Sequence, residues 1–315
     1  MRKRMVPALL ALAALAAVAF SATPATAGPT QQGLGACPDP AFDFLAGLQH
    51  TGTARSSATG DPTTRAEKDT ETYSGSTEFG QKTPGTPTAG EIDVYVHVVT
   101  KTDGTGAVSD AAIDDQIMVL NQTFAGWFGG DDTGFTFRLA GVTRTANDAW
   151  YAQETFADEV AMKSALKQGD AADLNLYTTS GGGFLGWAYY PSITASNRYS
   201  VLDGVVVHYG SLPGGSIQNF NLGYTATHEV GHYLGLPHTF EQGCIGHGDY
   251  VDDTPYEATP TSGCPAGKDT CTRGSGDDPI HNYMDYSYDT CYTQFTPGQT
   301  ERMQKQFAHW RLKRI

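Results

Sequence analysis

Basic residues are scarce in this sequence, as are cysteines and long apolar runs. Its 315 residues include 20 Lys and Arg against 34 Asp and Glu, which gives a net charge of −14. Nucleic acids and anionic membrane surfaces attract proteins with an excess of positive charge. We therefore expect neither nucleic acid nor a membrane among the partners of the mature protein.

The one long apolar run lies at the start of the chain. Basic residues at positions 2–4 precede an apolar stretch at 6–20, and small residues follow at 25–27. This order is typical of a secretory signal peptide, and the stretch is shorter than the roughly 20 residues of a membrane-crossing helix. We assign residues 1–27 to a signal peptide, whose removal takes the net charge from −14 to −17 because three basic and no acidic residues are lost.

Only five cysteines are present, and four of them lie in one Gly- and Asp-rich stretch, as Cys244, Cys264, Cys271 and Cys291. An exported chain meets an oxidising compartment, which favours disulfides. Four cysteines permit three pairings, and their spacing does not choose among them. Cys37 stands alone far upstream.

The segment at 51–90 is rich in Thr, Ser, Gly and Pro and has little apolar periodicity. Such a composition buries too little apolar surface to offset the entropy of ordering the chain. We assign residues 28–90 to a pro-segment and linker. Residues 91–315 then form a single domain, which is long enough to bury its own core.

Strand and helix patterns are mixed along this domain. Alternating β-branched residues predict a strand at 92–100, and further strands are predicted at 135–139, 174–178, 185–190 and 204–209. Two histidines, His97 and His208, lie in these strands, and we interpret both as packed sheet residues. The order predicts an α+β fold with a mixed sheet.

Helices are predicted in three places. One begins at Ser109 or Asp110, a second spans 158–168, and the last is capped by Thr296, with Pro297 in its first turn and Gln299 in capping-box position. The apolar residues of the first helix recur at three- and four-residue steps, as Ile113, Ile117, Leu120, Phe124 and Phe128.

The segment 228–238 contains the pattern H-E-x-x-H-x-x-G-x-x-H. On a helix, His228 and His232 are one turn apart and face the same side, as two imidazoles that share a metal must. Glu229 then lies beside the metal, where its carboxylate can accept a proton from water without binding the metal itself.

Gly235 explains how a third ligand reaches the same ion. It can take positive φ, end the helix and turn the chain so that His238 meets the metal. Three neutral imidazoles leave one position open on a catalytic zinc, which lowers the pKa of a water there to about 7. Histidines on a purely structural helix would explain neither Glu229 nor Gly235.

This motif, followed by Asn-Tyr-Met-Asp-Tyr at 282–286, resembles the metzincin clan of zinc peptidases, and most closely the pappalysin family. The similarity extends from about Ile92 to the last helix and includes Leu-Pro-Gly-Gly at 212–215. It implies an upper subdomain with a twisted mixed sheet and two helices. Below it, the family has an irregular, disulfide-bonded subdomain that ends in a helix.

The resemblance also implies roles for single residues. Met284 would form an apolar floor beneath the zinc, and Tyr286 would stabilise the oxyanion formed during hydrolysis, although a tyrosine that only packs fits the sequence too. The same resemblance implies two disulfides, Cys244–Cys271 and Cys264–Cys291.

The loop at 248–255 concentrates oxygen ligands of the kind that calcium requires. The resemblance points to Asp249, the carbonyl of Val251 and Thr254 as the calcium ligands. A solvated acidic loop is the alternative interpretation.

Cys37 lies between the signal peptide and the predicted catalytic domain. Because a thiolate is a good zinc ligand, Cys37 could occupy the open position and keep the precursor latent. This switch is similar to the latency mechanism of related proenzymes, and a bystander thiol remains the alternative.

Together these features predict a secreted zinc endopeptidase that cleaves proteins or peptides as a monomer. Glu229 would take the proton from water and pass it to the leaving amine, and the edge strand at 186–190 would hold the substrate backbone. In some relatives an acid just before the last disulfide cysteine favours basic residues after the cut; here Thr290 holds that place and Asp289 precedes it. The alternative is a secreted zinc-containing adhesion protein without turnover, which would not need Glu229.

Overall fold

The computed structural model describes residues 86–196, 199–271 and 276–312. The predicted signal peptide, Cys37 and all of the predicted pro-segment before residue 86 lie outside the described residues. Within the described part of the chain, no helix combines the length and apolarity that a membrane crossing needs.

Five strands form one mixed sheet, as the sequence predicted. In spatial order they are β2, β1, β3, β5 and β4, and only the β4–β5 pair is antiparallel. The strands are β1 (Glu91–Thr100), β2 (Thr136–Ala146), β3 (Leu174–Thr179), β4 (Gly186–Ala188) and β5 (Val205–His208). The short strand β4 therefore lies at one edge of the sheet.

Six α-helices accompany the sheet in the described ranges: α1 (Asp110–Phe124), α2 (Asp148–Ala152), α3 (Phe156–Leu166), α4 (Pro191–Thr194), α5 (Tyr224–Tyr233) and α6 (Pro297–Trp310). The predicted caps are present: Ser109 accepts the Ala112 N–H, and Thr296 forms a capping box with Gln299. Side-chain acceptors of this kind satisfy the first N–H groups of a helix and so set where it begins.

Several boundaries differ from the prediction, among them those of α1, β2 and α3. Helix α1 ends at Phe124 and leaves Phe128 45% exposed, because the chain turns through Gly126 at φ +68°. Strand β2 runs well past residue 139, where its half-buried positions are Gly141, Thr143 and Thr145 and so give no apolar alternation. Helix α3 begins at Phe156 because Thr155 forms a capping box with Asp158.

Apolar side chains of the sheet alternate between two faces, and each face is covered. Val205 and Val207 join the larger cluster, which includes residues of α1, α5 and α6, whereas Val206 joins a smaller cluster with Met162 of α3. This alternation follows from the two-residue period of a strand. Helix α5 is thus buried against one face of the sheet.

Between α5 and α6 the chain is largely irregular. Two disulfides join Cys244 to Cys271 and Cys264 to Cys291, the pairing that the family resemblance implied. Each closes a separation of 27 residues. Cross-links of this kind stabilise a segment mainly by restricting its unfolded state.

His97 is fully buried in the centre of the sheet. Its Nδ1 lies 2.7 Å from Thr143 Oγ1 and its Nε2 lies 2.9 Å from Asn175 Oδ1. Since the Asn175 oxygen only accepts, Nε2 donates, and the Thr143 hydroxyl donates to Nδ1 of a neutral ring. Burial lowers the pKa of His97 below its usual 6.5.

This neutral histidine predicts an acid-sensitive fold. The unfolded state takes up a proton near pH 6.5 and the folded state only at lower pH, so the stability gained from His97 is present above 6.5 and falls as the pH drops below it. Urea unfolding between pH 7.5 and 5.5 measures this loss. The variant His97→Asn should show a shallower decline over the same range, and parallel curves would contradict the prediction.

Candidate active site

Helix α5 carries the predicted metal ligands and is buried along its whole length. It begins at Tyr224 after Gly223, which offers no side-chain cap, and Asp289 Oδ2 accepts the Leu222 N–H at 2.8 Å. The helix ends at Tyr233, and Gly235, with a φ of +98°, turns the chain so that the Leu236 N–H bonds the Gly231 carbonyl at 2.9 Å. The chain turns at the position predicted from the glycine.

After this turn, three buried histidines converge. His232 Nε2 lies 3.1 Å from His228 Nε2 and 3.0 Å from His238 Nε2. Their ligand atoms all lie within 4.8 Å of one another, as donors to a single ion must. The sequence-predicted triad is therefore brought together.

The contacts of the Nδ1 atoms show which nitrogen carries the proton in His228 and His232, and so that the facing Nε2 atoms carry lone pairs. His228 Nδ1 lies 2.7 Å from the Tyr283 carbonyl, and His232 Nδ1 lies 2.6 Å from the Leu236 carbonyl. A carbonyl only accepts, so each Nδ1 carries the proton and each neutral ring has a bare Nε2. Two bare nitrogens cannot hydrogen-bond each other, and a cation between them fits the arrangement.

Burial keeps these rings in the neutral form that binds metal. It lowers the pKa of His228 to about 4, although the bond to Tyr283 opposes the shift. Burial lowers the pKa of His232 and of His238 well below 6.5. At neutral pH all three imidazoles can donate a lone pair without first losing a proton.

Glu229 is fully buried beside the edge strand. A Cβ placed on Gly186 of β4 would lie 3.0 Å from Glu229 Cγ, 3.1 Å from its Oε1 and 2.7 Å from the Val206 carbonyl oxygen. The strand and the acid therefore approach as closely as a residue without a side chain allows. This role of Gly186 was not predicted, although a glycine inside a strand pattern often marks a close approach of this kind.

The turn containing Met284 supports the triad from below. The Thr239 N–H, next to His238, donates to the Met284 carbonyl at 3.2 Å. A Cβ on Gly231 would overlap the Met284 sulfur, so this turn packs directly against α5. Tyr286 follows two residues later, and its ring centroid lies 4.9 Å from that of His238 and 5.8 Å from that of His228.

Known proteins are similar to this chain in sequence. The peptidase M43 family model, described as pregnancy-associated plasma protein-A, matches residues 172–308. An extracellular metalloprotease of Pyricularia oryzae is 50% identical over 224 residues, which are 70% of this chain and 76% of that protein. The chain belongs to the pappalysin family of metallopeptidases.

Solved pappalysin-like structures agree in fold. Promirolysin of Tannerella forsythia, solved as a mutant, has a TM-score of 0.65 and 27% identity, and the match covers 88% of this chain and 95% of that one. Mature mirolysin of the same organism, in complex with a cleaved peptide, has a TM-score of 0.59 and 32% identity over 70% of this chain and 91% of that one.

The predicted calcium ligands of this pappalysin lie in a separate loop. Asp249, Val251 and Thr254 are buried and line one small cavity, and Asp249 Oδ1 accepts the Val251 N–H at 3.0 Å. Burial raises the pKa of the Asp249 carboxyl to about 7. Burial alone therefore favours the protonated form of this carboxyl.

The Asp289 carboxylate of this pappalysin hydrogen-bonds the backbone just before α5. Asp289 is 1% exposed, and its carboxylate accepts the Leu222 N–H. Burial raises its pKa to about 7, against the effect of bonds from the backbone of Leu222 and Tyr224. Thr290, which takes the place of the acid found in some relatives, is exposed.

Proposed function

We propose that this chain is a secreted, zinc-dependent endopeptidase that is made as a latent precursor. The convergence of three neutral imidazoles beside a buried carboxylate carries this proposal. The curated relatives are named extracellular metalloproteases, and none of these comparisons favours the alternative of an adhesion protein without turnover.

In the proposed mechanism His228, His232 and His238 would hold the zinc. When bound, zinc polarises a carbonyl and lowers the pKa of water to about 7. Glu229 accepts the proton of the attacking water and passes it to the leaving amine, so that one carboxylate serves as base and then as acid. Tyr286, whose ring lies beside two of the ligands, stabilises the oxyanion.

The substrates are proteins or peptides held in extended form along β4. No described strand pairs with the outer edge of β4, which is the last strand in the sheet order. An extended peptide can add to such an edge through main-chain hydrogen bonds. Gly186 of this strand lies next to Glu229, which supports the proposal that a bound peptide bond lies near the base.

The test is incubation of the secreted, processed protein with casein, with mass spectrometry of the fragments. We expect internal cuts that are lost with a zinc chelator and restored by added zinc. Chelator-resistant cleavage would contradict the zinc mechanism, and trimming from the chain ends alone would contradict an endopeptidase. Bound zinc without any cleavage would favour the adhesion protein.

We also propose a calcium ion at Asp249, the Val251 carbonyl and Thr254. A ligand that binds only the folded state stabilises it, by about 2.7 kcal/mol at a hundredfold excess over its Kd. The melting temperature should therefore rise with added calcium, and Asp249→Asn should remove most of this rise. An equal rise in the variant would favour a solvated acidic loop.

We also propose that latency depends on Cys37, which lies in the pro-segment at 28–90. The proposed signal peptide at 1–27 precedes this segment, and the catalytic domain at 91–315 follows it. A thiolate there could bind zinc in the precursor. Purified precursor with Cys37→Ala should be active without processing. Latency equal to that of the wild type would eliminate the switch.

The mature enzyme is proposed to act as a monomer that binds neither nucleic acid nor membrane. The exported chain, residues 28–315, has a net charge of −17, which supports the absence of anionic partners. Light scattering on a sizing column measures its mass, and a dimer would contradict the monomer.

A further inference from the structure

A buried carboxylate that the mechanism does not use lies next to the third metal ligand. Glu257 is fully buried, and its Oε2 accepts the hydroxyl of Thr239 at 2.7 Å. Thr239 directly follows His238 in the chain, and its N–H bonds the Met284 carbonyl. Glu257 therefore holds the side chain, and the Met284 turn holds the backbone, of the residue after His238.

The other carboxylate oxygen of Glu257 begins a series of hydrogen bonds that ends at the Tyr286 N–H. Glu257 Oε1 accepts the hydroxyl of Thr261 at 2.9 Å. The N–H of Thr261 in turn donates to Asp285 Oδ1 at 2.9 Å, and the same oxygen accepts the Tyr286 N–H at 2.7 Å. Thr261 thus joins Glu257 to the residue before Tyr286.

A lysine from the disulfide-bonded loop balances this charge. Lys268 Nζ lies 2.6 Å from Glu257 Oε1 and 3.0 Å from Asp278 Oδ2. Burial would lower the pKa of Lys268, but its bonds to the two carboxylates outweigh this and raise it. Lys268 lies between Cys264 and Cys271, which belong to different disulfides.

We propose that Glu257 is a positioning residue that fixes His238 through Thr239 and Tyr286 through Thr261. The inference rests on the proposed function, because it assigns Glu257 to the same zinc site. Groups that orient metal ligands from outside the coordination shell restrict ring orientation, and their loss typically costs about 10- to 100-fold in metal affinity or activity. The disulfide loop joins this network through Lys268, which pairs with Glu257.

The cleanest test alters Thr239 alone. Thr239→Val keeps the volume and removes the hydroxyl, whereas Thr239→Ser keeps the hydroxyl. We expect zinc to dissociate about 10- to 100-fold faster from the valine variant in a chelator competition, and kcat to fall with little change in KM. The serine variant should stay close to the wild type in both measurements.

A matched pair controls for general loss of stability. Glu257→Gln and Asp278→Asn each remove a buried carboxylate from the same lysine, but only Glu257 bonds Thr239 and Thr261. Zinc should dissociate faster from the Glu257 variant, whereas the Asp278 variant should match the wild type even if its melting temperature falls as far. Equal zinc dissociation in the two variants would overturn the proposal.

The outcomes also separate this inference from the proposed function. A wild-type protein that binds no zinc and cleaves nothing would remove both. A wild-type protein that binds zinc and cleaves casein, with Thr239→Val as slow to release zinc as Thr239→Ser, would remove the positioning role alone.

Discussion

Replacing Glu229 with glutamine is expected to lower kcat about 10²- to 10⁴-fold while zinc stays bound. Glutamine has nearly the shape of glutamate, but its amide cannot accept the proton of water. Since Glu229 is not among the three converging ligands, the metal site should survive. Steady-state kinetics on a quenched peptide and zinc analysis of the same sample measure the two effects.

The same substitution on the surface controls for assay and folding effects. Glu301 lies on α6, its side chain is 58% exposed, and it pairs with Lys305. Glu301→Gln should keep wild-type kinetics. Full activity in Glu229→Gln would exclude Glu229 as the base, and loss of zinc from that variant would show that Glu229 holds the metal instead.

The zinc ligands could be predicted because their geometry is local. His228 and His232 share one face of a helix by its period, and Gly235 supplies the one backbone conformation that returns His238 to them. All these residues lie within one short segment, so spacing alone predicts their convergence. The structure brings them together for the same reason.

Met284 and Tyr286 are different, because they lie far along the chain from the helix that they contact. Only the resemblance to a family placed them at the site, since no periodicity links positions 231 and 284. Glu257 was missed for a related reason. Its bonds to Thr239 and Thr261 join loops, where no repeating pattern predicts which side chains meet.

In the fold, too, features set by neighbouring residues were predicted, whereas features set by distant residues were not. Alternation and caps predicted the central strands and the last helix, because both signals act over a few residues. The extent of β2 was underestimated, since its half-buried positions after Leu139 are Gly141, Thr143 and Thr145 and the apolar alternation stops there. Pairing with β5 limits β4 to three residues, fewer than the predicted 185–190.

Adding one methyl group at Gly186 tests the contact between the edge strand and the proposed base. Gly186→Ala is expected to lower kcat/KM by about 10²-fold, because a displacement near 1 Å at a reacting group can cost that much. The new Cβ would meet the Val206 carbonyl oxygen at 2.7 Å and Glu229 Cγ at 3.0 Å, so the strand or the acid must move. Zinc content should not change, since Gly186 is not among the converging ligands.

Gly90→Ala is the matched control, because a Cβ there would meet nothing within 4 Å. It should leave both kinetics and melting temperature near the wild type. If Gly186→Ala cleaves as fast as Gly90→Ala, the edge strand does not constrain Glu229. If Gly186→Ala loses zinc as well as activity, the methyl group disturbs the whole of α5, and the contact serves the helix rather than the carboxylate.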